Sequence, residues 1–65
     1  SEERMFAVIR AAFGQRRKTA VNAISAGLGL PKQRLQQAVA ALWLDERIRP
    51  EQLTLAQMAS LSDLL

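Results

Sequence analysis

Residues 13–22, Phe-Gly-Gln-Arg-Arg-Lys-Thr-Ala-Val-Asn, hold the densest chemistry in this 65-residue chain. Arg16, Arg17 and Lys18 stand together there, with Gln15, Thr19 and Asn22 beside them. An arginine presents a planar fork of donors that grips a phosphate through two bonds. A lysine adds a mobile point charge, and the open N–H groups at a helix start receive an anion as well. The ligand that suits this set is a phosphodiester backbone. Thr19 and Asn22 can hydrogen-bond phosphate, sugar or a base edge, or can serve only the backbone of the helix they begin. The plain alternative is a solvated loop whose cations balance the negative end of a preceding helix. Charge distribution favours the ligand. Residues 4–44 contain seven basic side chains and no acidic one, whereas residues 45–65 contain four acids and two arginines. Arg4, Arg10, Lys32 and Arg34 therefore extend an acid-free region around the cluster, where a merely solubilising surface would mix both signs.

Several function classes are excluded by what is missing. Without cysteine or histidine there is no disulfide, no usual zinc site, no thiol nucleophile and no imidazole base. The carboxylate pairs Glu2-Glu3 and Asp45-Glu46 are sequence neighbours at the ends of elements, with nothing to poise them for acid–base work. Gly14, Gly27 and Gly29 mark helix ends and form no phosphate-cradling loop after a strand. The chain alone is therefore expected to be non-catalytic and to hold no cofactor or metal. No run approaches the roughly 20 apolar residues of a membrane span. With no signal-like segment either, the expected setting is soluble and cytoplasmic, with no membrane partner. A chain this short makes one domain with a thin core, burying only about 60% of its unfolded surface, which points to a piece of a larger protein.

The elements that position the cluster are set by apolar spacing. Met5, Val8, Ile9, Ala12 and Phe13 line one face of a first helix, with Glu2 and Glu3 at its positive end and Gly14 placed for a left-handed stop. Thr19 is suited to cap a second helix that turns Val21, Ile24 and Leu28 inward and finishes near Gly27 or Gly29. Pro31 suits the first turn of a third, with Leu35, Ala38, Val39 and Leu42 on one stripe. Residues 45–49 read as a connector in which Arg47 and Arg49 pair with Asp45, Glu46 and Glu51. Residues 50–53 suit a single helical turn. Thr54 and Gln57 then form a capping box for a fourth helix whose apolar positions, Leu55, Met58, Ala59, Leu61 and Leu65, cover more than one narrow face. Phe6 and Phe13 are expected in the core, and Trp43 in the core or at its rim. The fold class is all-α, a compact bundle of four short helices with room for a fifth short turn at residues 50–53.

At Phe13-Gly-Gln-Arg-Arg-Lys-Thr-x-x-Asn22 the chain resembles the small-subunit ribosomal RNA adenine dimethyltransferases, whose C-terminal helical domain carries a Phe-x-Gln-Arg-Arg-Lys-Thr-Leu-x-Asn type segment. The stretch from Leu42 to Met58 looks like the same family's closing pattern, an Asp-containing turn leading to Arg-x-Glu-x-Leu-Ser/Thr and a last helix. That resemblance implies an S-adenosylmethionine-dependent parent enzyme with a Rossmann-like N-terminal catalytic domain, which dimethylates two adjacent adenosines near the 3′ end of small-subunit rRNA. No glycine-rich cofactor loop and no Asn-Leu-Pro-Tyr type motif occurs here, so no catalytic or cofactor residue carries over. The binding role does. By resemblance, Arg16, Arg17 and Lys18 contact the rRNA backbone of the immature small subunit, Gln15, Thr19 and Asn22 support that surface, and Arg10 lies beside it. The N-terminal catalytic domain is the implied second partner.

Two positions depart from the family pattern. Ala20-Val21 stand where Leu and often a basic residue occur, which weakens helix packing or removes a phosphate contact. Trp43 stands where Gly is common. A Trp is strained in the left-handed conformation that Gly accepts, so the third helix is expected to run further or end differently. The competing reading is a free-standing DNA-binding or protein-interaction module. In it, Leu28-Gly-Leu makes the turn of a helix-turn-helix, and Lys32, Gln33, Arg34, Gln36 and Gln37 lie on the reading helix.

Overall fold

The computed structural model describes residues 2–15 and 17–65. Four helices succeed one another: α1 (Glu2–Gly14), α2 (Ala20–Leu28), α3 (Lys32–Ala41) and α4 (Leu55–Leu64), with a single 3-10 turn over Pro50–Gln52. No strand occurs among the described residues. The all-α bundle with one extra short turn is thus the architecture adopted.

The starts of α2 and α4 are set by side chains. Thr19 Oγ1 accepts the Asn22 N–H at 3.3 Å, closing the first turn of α2. At α4 the capping box is reciprocal: the Gln57 N–H donates to Thr54 Oγ1 at 3.1 Å, and the Thr54 N–H donates to Gln57 Oε1 at 2.8 Å. Pro31, with φ −59°, precedes the first residue of α3, where its missing N–H leaves no helical bond unmade.

Two helices stop in the same way. After α2, Gly29 takes φ 66°; its N–H donates to Ala26 O, and the Leu30 N–H reaches back to Ser25 O at 3.0 Å. After α3, Trp43 takes φ 59°, with its N–H on Ala40 O and the Leu44 N–H on Val39 O, both at 3.0 Å. Each pair of bonds is a Schellman stop. The expectation that α3 would run on or end differently is overturned: the helix stops where a glycine would stop it, and Trp43 itself adopts the left-handed conformation. Its side chain is 95% exposed, so it gains no core or rim contact in return, contrary to the core or rim position read from sequence. A left-handed L-residue costs roughly 1–2 kcal/mol. Trp43→Gly is therefore expected to stabilise the chain by about 1 kcal/mol, and a thermal melt should show a rise of several degrees. Gly14, in contrast, ends α1 without a positive φ, so the left-handed stop expected there is not made.

The core joins all four helices. Val8 and Ala12 of α1, Ala20, Val21 and Ile24 of α2, Leu35, Ala38 and Val39 of α3, and Met58 and Leu61 of α4 are buried together, with Leu53 closing one side. Leu28, Leu42, Leu44, Ile48 and Leu65 pack around them. Ala20 and Val21 are 0% and 1% exposed, so their departure from the family pattern leaves a filled core, and no phosphate contact could be made from either position.

Phe6 and Phe13 correct the reading of α1. They are 56% and 42% exposed, not core residues. At about 100° per residue, Phe13 and Phe6 stand roughly 140° and 160° around the helix from buried Val8. The buried arc is centred instead between Ala11 and Ala12, because α2 crosses α1 over Ala11. A Cβ on Gly27 would overlap the Ala11 methyl carbon and lie 3.0 Å from its Cα. This close crossing belongs to the most extensive interhelical contact in the domain.

Candidate polyanion-binding corner

The C-terminus of α1, residues 15–19 and the first turn of α2 form a corner. The Lys18 N–H donates to Gln15 O at 3.0 Å and tightens the turn. Arg17 and Lys18 are exposed there; Arg16 lies outside the described residues. No hydrogen bond or ion pair engages the head groups of Arg17 or Lys18 among the described residues. Thr19 Oγ1 accepts the Asn22 N–H as the α2 cap, which leaves its O–H as a donor. The Asn22 side-chain amide makes no hydrogen bond among the described residues and remains half-exposed.

The six described residues of the sequence-predicted set do not line one patch. Arg10 and Gln15 share an open groove between α1 and α2, floored by Ala7, Ala11, Ala23 and Gly27. Thr19 and Asn22 line a different cleft with Lys32, Glu46 and Arg47. Arg17 and Lys18 sit on the connector between these two surfaces.

Sequence reading missed the part played by residues 45–49. The expected pairing of Arg47 and Arg49 with Asp45, Glu46 and Glu51 is not made, and neither arginine forms an ion pair among the described residues. Asp45 Oδ1 instead accepts the Arg47 backbone N–H at 2.8 Å, and Gln52 Oε1 accepts the Arg49 N–H at 2.9 Å. The segment is stitched onto the corner. The Ala20 N–H donates to Ile48 O at 2.8 Å, and the Arg49 guanidinium donates to Arg17 O at 3.3 Å. Of the cations distant in sequence, Arg49 thereby joins Arg17, while Lys32 and Arg47 line the cleft with Thr19 and Asn22. Local charge alternation at residues 45–51 carried no signal for this, because the partner is a main-chain oxygen about 30 residues away.

Arg4 and Arg34 move the other way. Both donate to the main-chain oxygen of Leu65, at 3.1 and 2.7 Å, and so gather at the end of α4. Ten residues of α1, about 15 Å of helix, separate Arg4 from Gly14. The acid-free run of sequence is thus divided into two cationic regions, of which only one adjoins the corner. On α3, Gln33 and Gln37 are exposed and Gln36 is half-buried. No group of three or more potential metal-ligating side chains exists among the described residues, and no described helix is long and apolar enough to cross a membrane.

A small helical domain with cations of both loops gathered at one corner is the class of protein that fold and site define. Comparison with known proteins places it further. The chain is 42% identical over 62 residues to ribosomal RNA small subunit methyltransferase A of Desulfitobacterium hafniense, covering 95% of this chain and 22% of that protein. To the proteins of the same name from Moorella thermoacetica and Halothermothrix orenii it is 44% and 47% identical, over 94% and 92% of this chain and 21% of each relative. No protein-family model and no solved structure matches it. Over nearly its whole length the chain is therefore similar to ribosomal RNA small subunit methyltransferase A proteins, and it spans about one fifth of the length of these curated relatives.

Proposed function

We propose that residues 1–65 are the C-terminal, rRNA-docking domain of an S-adenosylmethionine-dependent rRNA adenine dimethyltransferase, the parent enzyme modifying two adjacent adenosines of small-subunit rRNA. The observation that carries this reading is the similarity, over nearly the whole chain, to proteins named for methylating small-subunit rRNA. In this reading Arg16, Arg17 and Lys18 hold the RNA backbone, Arg10, Gln15 and Asn22 border the contact, Thr19 fixes the helix start, and Lys32 and Arg47 widen the footprint. Phosphate contacts from flexible cations position a partner without reading its sequence, which suits docking onto a folded particle. The other partner is the catalytic domain of the same protein, and the setting is the cytoplasm.

S-adenosylmethionine does not fit this chain. The described residues form no strand, so the strand-to-helix glycine loop that receives such a cofactor has no counterpart among them. The cofactor and the methyl transfer belong to the catalytic domain of the parent enzyme.

The test is binding to small-subunit precursor particles and to unrelated duplex DNA across a salt series. Preference for the particle is expected, with little dependence on Gln33, Gln36 or Gln37. If Gln33→Ala or Gln37→Ala instead changes preference among duplex DNA sequences, α3 is a DNA-reading helix and the docking reading fails.

A further inference from the structure

Among the described residues, Trp43 is the one non-glycine residue held at positive φ, and it recovers nothing from packing. Its φ is 59°, its Schellman bonds to Ala40 O and from Leu44 to Val39 O hold it there, and its indole is 95% exposed. A residue held in an unfavourable conformation with no structural return is a candidate for function. We propose that the Trp43 indole is a stacking platform for an unpaired base of single-stranded RNA, adjoining the cationic corner; this rests on the docking reading above.

The Schellman stop at Trp43 turns the backbone directly into residues 44–49, whose Ile48 and Arg49 are bonded to the start of α2 and to Arg17. With consecutive Cα atoms about 3.8 Å apart, Trp43 lies within roughly 15 Å of Arg47. Arg47 lines the cleft with Asn22 and Lys32. An exposed aromatic face within about 15 Å of an exposed cation is the pairing that single strands need: backbone charge neutralised on one side, a base unstacked onto a ring on the other. A duplex keeps its bases stacked and offers the ring nothing. Two exposed acids lie between Trp43 and Arg47 in sequence: Asp45, one of whose carboxylate oxygens accepts the Arg47 N–H, and Glu46, which lines the cleft with Arg47 and Lys32.

The chain has one tryptophan and no tyrosine, so its emission reports this residue alone. Titration with a short oligouridine is expected to quench Trp43 fluorescence, and an RNA duplex of equal length to leave it unchanged. Trp43→Gly, which suits the backbone, should stay folded by circular dichroism, bind the oligouridine about tenfold more weakly and bind the duplex as before, while Trp43→Phe recovers part of the loss. Unchanged oligouridine affinity in Trp43→Gly, or no quenching at saturation, overturns the proposal. If salt-dependent binding persists and is lost in Arg16→Ala/Arg17→Ala/Lys18→Ala, that failure is confined to Trp43. If neither RNA binds the parent chain, the docking reading falls with it.

Discussion

Arg16→Ala/Arg17→Ala/Lys18→Ala is expected to bind precursor particles far more weakly than the parent chain at low salt, and with little remaining salt dependence. Three phosphate contacts give a log–log slope of about −2 to −3, so raising salt from about 50 to 200 mM should weaken the parent roughly 16- to 64-fold. The variant brings the formal net charge from +3 to zero, so single substitutions are needed to separate position from net charge. Arg34→Ala removes a cation whose guanidinium bonds Leu65 O at the far end of α1, and its slope should match the parent's. Arg47→Ala removes a cation that lines the cleft with Asn22 and should reduce the slope by about one. Filter binding or fluorescence anisotropy across the salt series measures all four. Equal slopes in the parent and the triple variant would remove the corner from the mechanism.

The second large effect is on stability. Gly27→Ala improves helix propensity by roughly 1 kcal/mol, and on an isolated helix it would stabilise. In this domain the added methyl overlaps the Ala11 methyl carbon and crowds its Cα, where α1 and α2 make their closest approach. Neither partner is the flexible tip of a long side chain, so the two helices must separate. Overpacking of that kind costs about 1–3 kcal/mol and reopens the contact on which Val8, Ala12 and Ile24 depend. Set against the propensity gain, the net expectation is destabilisation of up to about 2 kcal/mol, a fall in melting temperature of up to about 10 °C for a domain of this size. Gly27→Val adds a branch at the same point and should prevent folding. An unchanged or raised melting temperature for Gly27→Ala would show that α1 and α2 adjust without loss. Together with Trp43→Gly, the pair of substitutions tests opposite uses of glycine: one required by close approach, the other absent where a backbone conformation invites it.

Much of the fold is local and legible residue by residue. The caps at Thr19 and Thr54, the stop at Gly29, the proline before α3 and the stripe Leu35, Ala38, Val39 obey rules that act within one or two turns. The aromatic residues are not legible in that way. Apolar spacing puts Phe13 on the buried stripe, yet which arc of α1 is buried depends on where α2 crosses it, and that is set by the small pair Ala11 and Gly27. Hydrophobicity places Trp43 in the core or at its rim, and only the helix stop shows that it points into solvent. Among site residues, the cluster at residues 15–19 is evident from composition. Its enlargement by Lys32 and Arg47, and the departure of Arg4 and Arg34 to the end of α4, are not.

The amino-acid sequence by itself determined the helical class, the helix starts, the cation cluster and the resemblance to small-subunit rRNA methyltransferases, because each depends on residue types at short spacing. Only the tertiary structure decided which cations share a surface and which aromatic rings meet solvent. The first outcome rests on main-chain oxygens at Arg17, Ile48 and Leu65 that every sequence supplies, and the second on where helices cross and where they stop.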